Sequence, residues 1–499
     1  MTDRISRRVF TASALAALAA PAMAEPPAVS LRPLLRPASI RAARAAAEAE
    51  ALIARANLSG DVAYAVLDAA TGAVLEARAP EAALPPASVT KALTALYALD
   101  TLGPAHRFET RLVATGPVED GVLRGDLVLA GGGDPTLDTD ALAGMAGELK
   151  RAGVREVTGA FRVWGGAMPY RRAIEPRQPV HAGYNPALSG LNLNYNRVRF
   201  EWARAGGDYA ITMDARSGRY RPDVTVARMR VADRRAPVFT YTDAGARDDW
   251  TVARTALGGG GARWLPVRKP ELYAGEVFST FARSQGIVLE APQIMEGATP
   301  PQGATLVTHE SDPLADILRG MLRYSTNITA EMVGMAASAR RRGRAAGLPA
   351  SAREMTAWAR AALGMEGSDL RDHSGLDDRS RLSPLDMARA LAAVEREEAL
   401  RPLLREMSLR DARGRRRGTD GEAVHAKTGT LYFVSALAGY VAAPDGREMA
   451  FAILTASDDL RSRVDPSRDT RPPGARNWNR RAKQLQQALI ERWSARYGS

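Results

Sequence analysis

Three short polar motifs stand in order along this chain of 499 residues: Ser88-Val89-Thr90-Lys91, Ser325-Thr326-Asn327 and Lys427-Thr428-Gly429. Roughly 235 residues separate the first from the second, far more than one small domain needs between neighbouring motifs. The texture of the sequence changes inside that gap. Ser88 opens an apolar helix that carries Leu93, Leu96, Leu99 and Leu102 at helical spacing and stops at Gly103-Pro104. From about Arg107 strand-like runs dominate (108–115, 127–130, 161–164, 209–213, 223–231), broken by one helical run at 139–152. The glycines 258–261 and the breaks at Pro266 and Pro270 end that texture. Residues 106–270 therefore read as a β-rich insertion of one or two small modules, a substrate-side accessory to whatever the three motifs do.

On either side of the gap the elements are different. Residues 62–68 and 73–79 read as strands around the turn Ala69-Ala70-Thr71-Gly72. Helical texture returns at 273–285, and Asp312-Pro313 marks a helix to Tyr324, with Asp as its cap and Pro at its first position. Residues 437–442 and 449–454 form a hairpin around Pro444-Asp445-Gly446. A last helix, 478–493, sets Trp478, Leu485, Leu489 and Trp493 on one face and reads as core packing.

Composition narrows the chemistry. With no cysteine, disulfides, thiol nucleophiles and thiolate metal sites are excluded. The histidines, His106, His181, His309, His373 and His425, show no close ligand spacing, so no metal site is expected. The net charge of +12 suits an acidic partner, but a coding bias toward Arg produces the same figure, and charge alone names no partner. At the N-terminus Ser6-Arg7-Arg8-Val9-Phe10 precedes an apolar stretch, 11–20, and then Pro21-Ala22-Met23-Ala24. That is a signal peptide, 1–24, cleaved near Ala24. Its paired arginines resemble a twin-arginine signal; an ordinary secretory signal is the alternative. Nothing after it is long and apolar enough to span a bilayer.

The motifs have mechanical reasons. Ser88 and Lys91, three apart on a helix, share a face. A serine hydroxyl is a weak nucleophile until a base takes its proton, and a desolvated lysine can be that base. Ser325 can relay a proton, and Asn327 can bind an amide through both its donor and its acceptor. Gly429 lets a backbone lie close, while Lys427, Thr428 and Thr430 suit a carboxylate. The lysines of the whole chain are Lys91, Lys150, Lys269, Lys427 and Lys483; every other basic residue is arginine. Arginine cannot act as a base, so a lysine kept at a motif position marks a site where guanidinium will not serve.

Together and in this order, the motifs are specific. The arrangement resembles the serine-type D-Ala-D-Ala carboxypeptidase/endopeptidases of the low-molecular-mass class C penicillin-binding proteins, peptidase family S13. Pro86 to Lys91, Gly125-Asp126-Leu127, Gly133-Asp134-Pro135-Thr136-Leu137, residues 314–327, Asp372-His373-Ser374-Gly375-Leu376, Ala426 to Leu431 and residues 435–441 all look like family segments.

The resemblance implies an α+β fold, with a β-lactamase/transpeptidase-like catalytic domain of mainly antiparallel sheet flanked by helices. That domain would be discontinuous, 25–105 and 271–499, around the insertion. Ser88, Lys91 and Ser325 would be catalytic, and Asn327, Lys427, Thr428, Gly429 and Thr430 substrate-binding. The N–H groups of Ser88 and Thr430 would form the oxyanion hole. The substrate would be periplasmic peptidoglycan and β-lactams covalent inhibitors, with no cofactor, metal, nucleic acid or membrane anchor after signal removal. Two positions depart from the pattern. His373 stands where the family usually has Gly, and the run 161–166 lacks an acidic residue often found there. Two rivals share the motifs: a β-lactamase or esterase on this fold, and a slow penicillin-sensing or wall-binding module.

Overall fold

Residues 61–68 read Asp-Val-Ala-Tyr-Ala-Val-Leu-Asp, and the strand Asp61–Asp68 they form is buried at six successive positions. A strand covered on both faces needs a layer on each side. The computed structural model describes residues 38–395, 399–408, 423–465 and 472–497, and supplies both layers. The expected signal peptide 1–24 lies outside the described residues.

Asp61–Asp68 belongs to a six-stranded antiparallel sheet. Its order is Arg405–Met407, Val424–Leu431, Val434–Ala442, Glu448–Ala456, Asp61–Asp68, Val74–Arg78. Alternate side chains serve opposite faces. Ala63, Ala65 and Leu67, with Ala436, Ala438, Ala450 and Ala452, pack under helices Thr90–Leu102, Leu314–Tyr324, Asn327–Arg342, Leu348–Leu363 and Pro384–Glu395. Val62, Tyr64 and Val66, with Phe451 and Ile453, pack on the helix Ala475–Tyr497 through Leu485, Leu489 and Trp493. Alanine recurs on the first face because a helix must approach the sheet there. The hairpin and the core-packing last helix appear as the sequence indicates, and the α+β architecture is the expected one.

The inserted part has its own core, built on a five-stranded mixed sheet: Gln293–Ile294, Phe161–Trp164, Leu127–Gly131, Glu109–Ala114, Ala304–Glu310. Beside a small three-stranded sheet, Val118–Glu119, Val122–Leu123, Glu156–Val157, two larger ones extend it. One is Asp208–Asp214, Arg197–Ala205, Gly260–Pro266; the other is Ala227–Ala232, Asp248–Ala253, Phe239–Asp243.

Its far boundary differs from the expected 270. Helix Pro270–Ser284 gives Tyr273, Val277 and Phe278 to this second core, and Ala304–Glu310 pairs antiparallel with Glu109–Ala114. The chain thus leaves and re-enters through adjacent strands, closed by Phe108 N donating to Ser311 Oγ (2.9 Å) and Ser311 N to Phe108 O (2.9 Å). The change of texture near 270 is a strand-to-helix change within the insertion. Nor is the insertion separate from the first core, which takes in its Met168, Ile174 and Leu188.

Two local expectations also change. Ser88 sits in a short 3-10 turn, Ala87–Val89, just ahead of the α-helix Thr90–Leu102. The helix after Asp312 starts at Leu314, with Pro313 in extended backbone as its N-cap and no side-chain cap, so neither Asp312 nor Pro313 takes its expected place.

Candidate active site

Ser88 comes from the 3-10 turn and Lys91 from the first turn of the buried helix that follows it, and each second-motif residue is set by a corner between two other helices. Helix Leu314–Tyr324 ends with Ser325 in the left-handed region (φ 58°, ψ 39°), a conformation that terminates helices. Thr326 is extended and caps helix Asn327–Arg342. The S-x-N motif is therefore the tight corner that aims Asn327 at Lys91 of the first motif and Ser325 at Lys427 of the third. The third motif lies on the strand Val424–Leu431, second from the sheet edge.

These elements converge. Lys91 Nζ lies 3.0 Å from Ser88 Oγ, and donates to Asn327 Oδ1 (2.8 Å) and to the carbonyl of Ser374 (2.8 Å). Lys427 Nζ donates to Ser325 Oγ (3.0 Å) and to the carbonyl of Thr428 (2.7 Å). Both lysines are buried. A cleft of about 1580 Å3 opens above them, lined by Ser88, Ser325, Asn327 and Thr430. Thr428 contributes its carbonyl, and its side chain is exposed. Gly429 approaches the first motif, not only open cleft: a Cβ there would lie 2.6 Å from the Pro86 carbonyl oxygen and 3.0 Å from Ser88 N. Only glycine lets the strand lie this close to the serine turn.

Burial drives the electrostatics. Desolvation pushes the Lys91 ammonium down to about 8, although the carboxylates of Asp372 and Glu331 pull it back up. Lys427 is also driven well down, by burial and then by the charge of Lys91. Burial raises Glu331 and Asp372 above the usual carboxylate range. Buried lysines beside a serine and beside an asparagine or second serine are equipped for proton transfer.

Several residues of the site carry no readable signal as isolated positions. Glu331 accepts from His373 N (2.9 Å) and Ser374 N (3.0 Å). Asp372 accepts from Gly375 N (2.6 Å) and Asp377 N (2.7 Å). From the insertion, the Tyr184 carbonyl accepts from Asn327 Nδ2 (2.9 Å). Arg177 Nη2 donates to Asp378 Oδ1 (2.7 Å), and Arg461 also pairs with Asp378. The cleft wall is thus built from the insertion, the 372–381 loop and the segment after the sheet. His373 is accommodated by the glycine opposite it, Gly334. Its ring is fully buried, and a Cβ on Gly334 would lie 2.3 Å from it.

Comparison with known proteins gives the family and the fold. Residues 45–470 match the D-Ala-D-Ala carboxypeptidase 3 (S13) family. A D-alanyl-D-alanine carboxypeptidase of Actinomadura sp. (strain R39) is 30% identical over 423 residues, 78% of this chain and 76% of that protein. D-alanyl-D-alanine carboxypeptidase DacB of Haemophilus influenzae is 26% identical over 389 residues, 73% of this chain and 79% of its own. The solved structure of penicillin binding protein 4 (dacB) from Haemophilus influenzae superposes with a TM-score of 0.71 at 20% identity, covering 88% of this chain and 99% of that one, and shares its fold. The chain is a member of the D-Ala-D-Ala carboxypeptidase 3 (S13) family.

Proposed function

We propose that the chain is a serine-type D-Ala-D-Ala carboxypeptidase/endopeptidase of peptidoglycan and a penicillin-binding protein, with Ser88 as its nucleophile and Lys91 as its base. The observation that carries the assignment of roles is the pairing of Lys91 with Ser88 at 3.0 Å and of Lys427 with Ser325 at 3.0 Å, beneath one cleft. At about 1580 Å3, the cleft exceeds the roughly 300–1,000 Å3 of a small-molecule pocket, as a polymer's peptide requires.

The reaction is acyl transfer. Lys91, as the free amine, takes the Ser88 proton while Oγ adds to the carbonyl carbon of the penultimate D-Ala. The N–H groups of Ser88 and Thr430 hold the oxyanion. Collapse breaks the C–N bond; terminal D-Ala or a cross-linked peptide leaves as an amine, protonated by way of Ser325. Water then adds to the ester, the acid departs, and Ser88 regains its proton. Asn327 and Thr430 border the peptide, and Lys427 supplies the positive field for its carboxylate.

Among the described residues no helix is long and apolar enough to cross a membrane. Export by the 1–24 signal, of twin-arginine type, to the periplasm would bring the enzyme to its substrate. Digestion of purified cross-linked peptidoglycan tests the function: free D-Ala and separated cross-links should appear with the natural chain and disappear with Ser88→Ala. Release of neither by the folded natural chain would leave only a penicillin-binding module.

A further inference from the structure

Glu331 lies one helical turn beyond Asn327 and is fully buried. Each of its oxygens takes a separate backbone N–H: Oε2 that of His373 (2.9 Å) and Oε1 that of Ser374 (3.0 Å). The carbonyl of the same Ser374 accepts from Lys91 Nζ (2.8 Å). The rest of that turn is held as firmly. Asp372 grips Gly375 N and Asp377 N, and the His373 ring places Nε2 2.7 Å from Ser351 Oγ.

A neutral lysine has two N–H bonds and one lone pair. Around Lys91 Nζ, the Ser374 carbonyl can only accept. The oxygen of Asn327 faces Nζ while its nitrogen is committed to the Tyr184 carbonyl. Both N–H bonds of the free amine are therefore spent on Asn327 and Ser374, and the lone pair is left for the third neighbour, Ser88 Oγ, at 3.0 Å. The base points the right way only while the Ser374 carbonyl stays in place.

The geometry points to Glu331 as a positioning residue for acylation: it holds the Ser374 carbonyl on Lys91 so that the free amine faces Ser88, and its carboxylate, kept ionised against burial by the N–H that each oxygen accepts, balances the ammonium formed when the serine proton arrives. This rests on Lys91 being the base. The charges facing Lys91 are Glu331 from its helix, Asp372 from the loop and Lys427 from the sheet. His373 is adjacent in the loop, but its burial keeps it neutral. Removing the Glu331 charge makes Lys91 easier to deprotonate, so the acid limb of the acylation rate moves to lower pH.

The test is the pH–rate profile of penicillin acylation for the natural chain, Glu331→Gln and Glu331→Asp, with competent molecules counted by active-site titration. E331Q should lose roughly tenfold to a hundredfold of its plateau rate, as a misdirected base does, with its limb at lower pH. E331D should keep the limb near its original pH and recover part of the plateau. An E331Q with an unchanged plateau overturns the proposal, and so does a lower plateau with an unmoved limb, the mark of mere structural damage. Should E331Q not fold, E331D decides: a plateau equal to that of the natural chain overturns it. Hydrogen exchange on the natural chain adds a reading without substitution, since His373 and Ser374 amides that exchange well before global unfolding would also overturn it. Failure of the underlying base assignment looks different: Lys91→Arg would then acylate normally.

Discussion

Asn327, a side chain of the second motif, donates from Nδ2 to the backbone carbonyl of Tyr184, 143 residues earlier and inside the insertion, at 2.9 Å. The inserted part, which also lines the cleft through Arg177, Gln178 and Tyr184, therefore helps to orient a site residue. Leu188, also inserted and fully buried, packs in the core of the catalytic sheet. Leu188→Ala should cost about 2–5 kcal/mol. The circular-dichroism midpoint and the loss of fluorescent-penicillin labelling should fall together on heating. Labelling that outlasts the insertion's unfolding would show the two parts to be separable.

Ser325 holds a left-handed conformation that costs a non-glycine residue about 1–2 kcal/mol. Ser325→Ala and Ser325→Gly remove the same hydroxyl from Lys427, but only glycine relieves the backbone. Both should cut peptide hydrolysis by roughly a hundredfold or more, as the loss of a proton-transfer group does. Ser325→Gly should nevertheless unfold at a higher temperature than Ser325→Ala. Equal hydrolysis by the natural chain and both variants would remove Ser325 from the reaction.

His373 supplies a pH signature of folding. Burial lowers its pKa from the ordinary 6.5 to about 3. Below pH 6.5 the unfolded chain takes up a proton that the folded chain refuses. The stability tied to this ring is therefore full above 6.5 and declines as pH falls toward about 3. Each pH unit in that window costs about 1.4 kcal/mol, or about 2 kcal/mol between 6.5 and 5. Urea unfolding of His373→Ala should show a slope against pH smaller by about one proton. An unchanged slope would mean that the ring is protonated in the folded protein.

The two motif lysines should fail differently when replaced by arginine. Lys91→Arg keeps the charge but cannot give up a proton, so acylation by penicillin should fall roughly 10² to 10⁴-fold. Lys427→Arg retains a cation for a carboxylate with the wrong geometry, and a loss of about tenfold to a hundredfold is expected, much of it in substrate affinity. Second-order acylation rates on both folded variants decide it. Equal rates would remove Lys91 as the base.

Much of this was legible in the sequence because it is written locally. The motifs are short, their order is fixed, and the strands and helices that carry them have clear periodicity. The scarcity of lysine made Lys91 and Lys427 conspicuous. Glu331 and Tyr184 were not legible: one is a carboxylate on an otherwise ordinary helix, the other acts through its carbonyl, and both matter through partners far away in the chain. The fit of His373 to Gly334 is also a pairwise fact, which a residue judged singly at 373 cannot show. The end of the insertion was misplaced for a related reason. A change from strand to helix looks like a boundary, whereas the pairing of Ala304–Glu310 with Glu109–Ala114 is what closes the unit.

Mass mapping of the covalent penicillin adduct tests the role of Ser88 most directly. After brief labelling of the folded natural chain and proteolysis, the added mass should lie on Ser88 alone, with no adduct on Ser325 and none anywhere in Ser88→Ala. An adduct on another serine, or labelling of Ser88→Ala at the natural rate, would contradict Ser88 as the nucleophile.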